Sequence, residues 1–363
     1  MAAHSSKMNA VAGVVFAIVF HASCALDAKP VLQTMSFELR PPQRLYAAVS
    51  GDSAWTIYAT GTIDDNAPDR LDDLVKKNKI PPGSSVYLDS PGGSLTAGMK
   101  LGRLFRSAGF DTDVGRPPPS GQSLALSGEC FSACSLAFLG GRWRYITRGS
   151  VYGVHRFYFT KSMPQEADIA QMMAAVVVQF IRDMGADPEL FSEMTRAGRD
   201  EIVVIPEDDL KRLNVVNDGR SAAIWSVESG NGVVYLKGQQ DTAFGTHKFM
   251  LACTTDGVTL IVALPPTPHG PLPPTSAVTL VLDDQSYPIE SFLQKGSPTL
   301  DNGIVFAEFL IPLRLVRLIN AAREVGVTFQ FDRSAPVYFG FLGMPLQDGA
   351  SKMSGVLRAC TAN

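Results

Sequence analysis

An α/β fold followed by a smaller, mainly antiparallel β domain is what this sequence predicts. Three observations point there. Short apolar runs alternate with helical patterns over about 53–221, the texture of a mostly parallel sheet with crossover helices. Beyond 222 the apolar runs are β-rich and separated by Gly, Pro and Asp turns. The chain has 363 residues, enough for roughly two domains.

The first segment reads as an address. Met1 to Asn9 carries one lysine and no acid, and Ala10 to Phe20 is an unbroken apolar run followed by His21-Ala22-Ser23-Cys24-Ala25. A basic start, a short apolar core and small residues before the cut are the marks of a secretory signal peptide, 1–25, with cleavage expected after Ala25. A bilayer span needs about 20 apolar residues, so no stable membrane span is expected once the signal is removed. Lipid attachment at Cys24 is disfavoured, because His21 stands where such a site needs an aliphatic residue. The mature chain is expected in the periplasm or secreted, with 26–52 as an N-terminal segment.

The elements follow in order. Thr56 to Ile63 reads as a strand, Asp69 to Asn78 as a helix, and Ser84 to Asp89 as a strand. Leu95 to Ala108 is a helix stopped by Gly109, and Gly109 to Gly115 brackets another strand. A Pro/Gly/Ser loop leads into a small-residue helix from Cys130 to Gly141. A strand over Ser150–Phe157, a long amphipathic helix from Glu166 and a shorter one from Pro188 complete this half. The β-rich domain, 222–363, contains one helical stretch, Leu313 to Gly326, and a proline-rich loop over 267–276.

Composition narrows the function. With 32 basic against 35 acidic residues the net charge is −3, which argues against a nucleic-acid binder relying on bulk positive charge. Without Cys24 four cysteines remain, Cys130, Cys134, Cys253 and Cys360, an even number for an oxidising compartment. Three pairings are open, as are four unpaired thiols. A Cys253–Cys360 bridge would contribute about 4–5 kcal/mol in the chain-entropy model. With neither a CxxC pair nor a His-rich cluster, no metal site and no cofactor is expected.

The chemistry concentrates in one half. Ser90-Pro91-Gly92-Gly93 ends a strand and opens a helix, so backbone N–H groups stand where no side chain blocks an approaching oxyanion. Ser132 opens the small-residue helix, where a serine is equally at home as an N-cap. His155 follows on a strand end and is the one histidine of 53–221, the others being His4, His21, His247 and His269. A hydroxyl nucleophile needs such a base, and the base an orienting acid, for which Asp200 stands just before an apolar strand. Arg142-Trp143-Arg144 reads as a solvated strand edge, Met172-Met173 as the core face of a helix, and Asp64-Asp65 and Asp208-Asp209 as turn or cap acids.

These residues together resemble the Clp protease proteolytic subunit and its relatives in the Clp/crotonase superfamily, and most closely periplasmic proteins with that fold. The resemblance covers about 53–220 and leaves the β domain outside. It implies a fold of ββα units and a serine peptidase acting on peptide or protein substrates, with Ser132 as nucleophile, His155 as base and Asp200 as orienting acid. It further implies an oxyanion hole from Gly92, Gly93 and Ala133. A homo-oligomer is compatible with it, whereas an ATP-driven partner is not expected where ATP is scarce. The sequence departs from the pattern in Phe131 before the serine and Ala133 after it. Cys134 and Ser135 are rival nucleophiles, Glu201 is a rival for Asp200, and the Pro-rich insertion before Cys130 could cover the site. Two other classes stay open: a catalytically inactive binding or assembly protein on the same fold, and an acyl-CoA enzyme, which fits poorly outside the cytoplasm.

Overall fold

The computed structural model describes residues 33–42, 54–120, 122, 124–158, 164–196, 198, 201–230, 232–265, 277–334, 337–346 and 349–361, the side chains of 359–361 excepted. The expected leader, Cys24, Asp200 and the side chain of Cys360 lie outside the described residues.

In chain order the first half runs β1 (Ser36–Arg40), β2 (Thr56–Thr60), α1 (Ala67–Asn78), β3 (Ser85–Asp89), α2 (Leu95–Ala108), β4 (Asp111–Val114), β5 (Glu129–Phe131), α3 (Ala133–Phe138), β6 (Arg144–Ile146), β7 (Val151–Val154), α4 (Glu166–Asp183), α5 (Glu189–Arg196), β8 (Val203–Val204) and α6 (Glu207–Arg212). One sheet has the order β1-β2-β3-β4-β6 and a smaller one β5-β7-β8. β2, β3, β4 and β6 are mutually parallel, as the alternation of strands and helices requires, and β1 adds an antiparallel edge. Period-two alternation decides which face is buried. Ile57 and Ala59 of β2 and Val86 and Leu88 of β3 enter one apolar core with Leu101 and Phe105 of α2.

Local signals set the boundaries of α2. Ser94 caps its start, the hydroxyl accepting the Ala97 N–H at 3.4 Å. Gly109 closes it at φ +69°, a conformation glycine adopts without cost. The stretch after 129 differs from its helical reading, because Cys130 lies in β5 and the helix begins only at Ala133. Backbone pairing takes precedence over small-residue helix propensity there: β5 lies parallel to β7, and Phe131 N–H donates to the Ser90 carbonyl at 3.0 Å.

The second half is antiparallel: β9 (Ile224–Gly230), β10 (Val233–Thr242), β11 (Gly245–Thr254), β12 (Gly257–Leu264), β13 (Ala277–Leu282), β14 (Gln285–Pro288), β15 (Thr299–Asp301), β16 (Ile304–Ile311), α7 (Leu313–Ala321), β17 (Glu324–Gln330), β18 (Phe339–Pro345) and α8 (Gly349–Thr361). Among the described residues these strands form sheets of order β15-β16-β12-β11-β10-β9 and β14-β13-β17-β18, around a second apolar core that includes Trp225, Phe249, Leu260, Phe309 and Phe329. The predicted helical stretch ends early, at Ala321, since Glu324–Gln330 pairs with β13 and β18. The C-terminal helix α8 was not expected. It places Gly349 against Trp225, whose indole N–H donates to the Pro345 carbonyl at 2.8 Å.

Candidate active site

Ser132 is the single turn residue between β5 and α3. Its φ of +57° and ψ of −123° lie in a region that a side chain rarely occupies. A sharp strand–turn–helix elbow with this backbone is how a nucleophilic serine is lifted clear of its neighbours. Holding a non-glycine residue there costs about 1–3 kcal/mol, so the surroundings must over-determine it. They do. Ser132 N–H donates to the Gly153 carbonyl of β7 at 3.1 Å, and its own carbonyl accepts from the Ser135 N–H at 2.9 Å and the Ser135 hydroxyl at 2.6 Å. The Ser132 side chain does not cap α3, which removes the N-cap explanation for this serine.

The two rival nucleophiles are committed elsewhere. Cys134 is joined to Cys130 in a disulfide, one of the pairings the sequence allows. Ser135 is fully buried with its hydroxyl donating to Ser132. Cys253 is also disulfide-bonded.

The glycine loop packs directly on the elbow. A Cβ on Gly92 would meet the Ser132 Cβ at 2.6 Å and the Ala133 N at 3.1 Å, so only glycine fits. Loop hydrogen bonds then separate the three expected oxyanion-hole residues. Gly92 N–H donates to Ser90 Oγ at 3.1 Å, while Ile63 N–H donates to the Gly92 carbonyl at 2.7 Å and Ser94 N–H to the Ile63 carbonyl at 2.8 Å. Among the described residues, the N–H groups of Gly93 and Ala133 have no acceptor.

His155 sits one residue beyond β7, two residues after the carbonyl that holds Ser132. Its Nδ1 is buried and has no hydrogen-bond partner among the described residues, where a buried ring nitrogen is ordinarily paired. The Tyr158 ring lies 6.1 Å away, a neighbour not singled out in the sequence. β8 runs antiparallel on β7 with Gly153 opposite Val204 and Val154 opposite Val203. Ile202 reaches the same strand, its Cγ2 falling 2.5 Å from where a Cβ on Gly153 would stand. The chain just after Asp200 therefore lies beside the strand that leads to His155. Asp200 itself is outside the described residues, and its rival Glu201 is exposed, with Oε2 3.4 Å from the Gly198 N–H.

Two arginines anchor the far end of α3. Arg144 is only 2% exposed, contrary to the expected solvated strand edge, and its guanidinium donates to the carbonyls of Val215 and Asn214 at 2.7 Å and of Gly141 and Met184 at 3.1 Å. Burial draws it down to about 10. Arg106 donates to Gly140 and Gly141 at 3.0 Å and to Leu139 and Met184 at 3.1 Å. The carbonyls of Leu139, Gly140 and Gly141 follow the last residue of α3, Phe138, and cationic donors there complement the helix dipole. Arg142 stays exposed, 5.0 Å over the Trp143 ring. In α2, Gly98 and Gly102 let α3 approach: a Cβ on Gly98 would meet the Ala133 carbonyl oxygen at 2.4 Å.

Other expectations divide. Met172 is 68% exposed, not on a core face, while Met173 packs against the core. Asp64 pairs with Arg70 at 2.6 Å, and that guanidinium draws its carboxyl down to about 2. Asp208 and Asp209 lie in the first turn of α6. Arg116 and Leu126 of the Pro-rich segment bond to each other through backbone N–H groups at 2.9 and 3.0 Å. Among the described residues no group of three or more His, Cys, Asp or Glu could hold a metal ion, and no helix is long and apolar enough to cross a membrane.

No family model and no curated protein sequence matches the chain. Among solved structures, a serine-to-alanine mutant of the 1510-N membrane-bound stomatin-specific protease is similar over 44% of this chain and 75% of that one, with 18% identity and a TM-score of 0.32. A likeness of that size transfers neither a residue role nor an activity.

Proposed function

We propose that this protein is a periplasmic or secreted Clp-like serine hydrolase, a peptidase whose site is carried by residues 53–221, with 222–363 serving partner or substrate contact. The observation that carries the reading is the Ser132 elbow, packed against Gly92 and flanked by the unaccepted N–H groups of Gly93 and Ala133. In this reading Ser132 Oγ attacks the scissile carbonyl while the His155 imidazole takes its proton, and Asp200 accepts from Nδ1 and orients the ring. The negative oxygen that develops is held by Gly93 and Ala133 N–H. Loss of one such donor costs about 100- to 1000-fold in rate. Gly92 contributes by its lack of a side chain, since its N–H is held by Ser90. His155 then returns the proton to the leaving amine, and water repeats the sequence on the acyl-enzyme. The Cys130–Cys134 disulfide agrees with an oxidising compartment.

The test is labelling by a fluorophosphonate, which phosphonylates activated serines. Labelling of the wild-type chain that disappears in Ser132→Ala and falls steeply in His155→Ala is the expected result. Labelling that survives Ser132→Ala removes the nucleophile from this reading. A second reading is an inactive binding or assembly protein on the same fold, in which His155 Nδ1, without a hydrogen-bond partner among the described residues, is not paired with an orienting acid at all. An unlabelled wild-type chain supports it.

A further inference from the structure

We propose that the Cys130–Cys134 disulfide is a positioning device for Ser132, holding the elbow in its left-handed backbone so that activity depends on the oxidised bridge. The functional half of this inference rests on Ser132 being the nucleophile; the conformational half does not.

The argument begins with topology. The bridge joins β5 to the first turn of α3, with Cα atoms 5.2 Å apart, and Ser132 is the midpoint of the five residues it encloses. Both cysteines are fully buried, so the link lies within the core beneath the serine and not on the surface. Ser132 is the strained member of the enclosed set, at φ +57°, whereas Cys130 and Phe131 belong to a strand and Ala133 and Cys134 to a helix.

The other restraints on the elbow leave this role open. Gly92 blocks movement of the Ser132 side chain toward the glycine loop, and the Gly153 carbonyl fixes the Ser132 N–H. Arg106 and Arg144 fasten the carbonyls after α3, at its far end. The covalent link across Ser132 itself is the Cys130–Cys134 bridge, which ties the start of α3 to β5. Without it, the start of α3 is held to the elbow by the Ser132–Gly153 and Ser135–Ser132 hydrogen bonds and by the packing of Ala133 on Gly98 alone. The strained residue is then expected to relax toward an ordinary backbone with a shift of that first turn. That relaxation turns the hydroxyl away from the arrangement the glycine loop supports. A misplacement of about 1 Å at a reacting atom costs about 100-fold in rate.

The experiment compares three full-length forms: the oxidised wild type, the same protein reduced by dithiothreitol, and the double variant Cys130→Ala/Cys134→Ala. Reduction converts the bridge to two thiols with two electrons and two protons from dithiothreitol, which closes to its cyclic disulfide. Cys253→Ala controls for reduction of the other bridge. Two readouts are taken, amide hydrogen exchange over 129–138 and the rate of fluorophosphonate labelling at Ser132. Exchange in that segment is expected to rise about tenfold or more while the two cores stay protected, and labelling to fall about tenfold to hundredfold. The Cys253→Ala control is expected to match the oxidised wild type in both readouts. If exchange rises but no form is labelled, the pin stands and the nucleophile reading fails. Unchanged exchange and unchanged labelling in the double variant overturn the pin and leave the nucleophile reading intact. Loss of protection throughout the chain in the double variant also overturns it, since the bridge then supports the whole fold and not the elbow. Should buried thiols resist dithiothreitol, the double variant alone decides.

Discussion

Gly92 and Ser132 are in such close contact that a methyl group on the glycine would stand 2.6 Å from the serine Cβ. Sequence positions forty residues apart thereby form one surface, and its shape follows from what Gly92 lacks. Gly92 also sits at φ +97°, outside the range most side chains accept.

Replacing Gly92 with alanine therefore strikes geometry before stability. The added methyl meets the Ser132 Cβ and the Phe131 carbonyl oxygen, the latter at 2.7 Å, and neither can yield without moving the elbow. Labelling of Ser132 is expected to drop about 100-fold, the cost of a misplacement near 1 Å, with a stability loss of about 2 kcal/mol. Labelling kinetics and a urea titration of the same variant separate the two effects. Wild-type labelling by Gly92→Ala contradicts the packing argument.

Arg144→Lys tests the anchor behind α3. A planar guanidinium reaches Val215, Asn214, Gly141 and Met184 together, whereas the single nitrogen of an ammonium cannot span them. Several buried carbonyls then lose their donor, and a loss of about 3 kcal/mol in unfolding free energy is expected in a urea titration. Arg106 shares the Gly141 and Met184 carbonyls, so Arg106→Lys and Arg144→Lys should combine non-additively. A loss below about 1 kcal/mol for Arg144→Lys shows that the hub is dispensable.

The sequence carries some of this arrangement and hides the rest, for physical reasons. Helix α2 is legible from Ser94 and Gly109 because caps are local chemistry. Glycines at 92 and 93, Ser132 and His155 are legible as residue types that a single reaction would need. The turn of Gly92 N–H back to the Ser90 hydroxyl is local chemistry, between near neighbours in sequence. The pairing of Ile63 with the Gly92 carbonyl and the Ser94 N–H, beside a Gly93 N–H that has no acceptor among the described residues, instead depends on a segment about thirty residues away. Arg144 reads as a solvated charge because a buried guanidinium is rare. Its burial is made possible by carbonyls from 141, 184, 214 and 215, which no window of sequence brings together. The helical reading of Cys130 fails for the same reason, as its strand partner in β7 comes about twenty residues later.

The last prediction concerns pH, where a half-buried carboxyl and a buried imidazole act in opposite directions. Burial pushes the Asp113 carboxyl up to about 6, against an ordinary 3.8, although Thr147 N–H still donates to it at 2.7 Å. Asp111, on the same face of β4, is likewise pushed up to about 6. A carboxyl whose folded value is raised favours the fold fully below its unfolded value, and that stabilisation is lost as pH rises through about 6. His247 behaves in reverse. Burial first, and then the charge of Arg220, draws it from 6.5 to about 4, so its contribution is present above 6.5 and is lost as pH falls toward 4. Asp113→Asn keeps an oxygen for Thr147 and removes the charge. It should raise stability at pH 8 by about 1 kcal/mol relative to wild type, a value discounted for partial solvent contact, and leave pH 4 nearly unchanged. His247→Gln should do the opposite, flattening the loss between pH 6.5 and 4 while leaving pH 8 unchanged. Thermal melts of both variants across pH 4–8 check the pair. Parallel pH profiles for Asp113→Asn and wild type show that burial of Asp113 imposes no charge penalty, and the same comparison for His247→Gln decides the acid side independently.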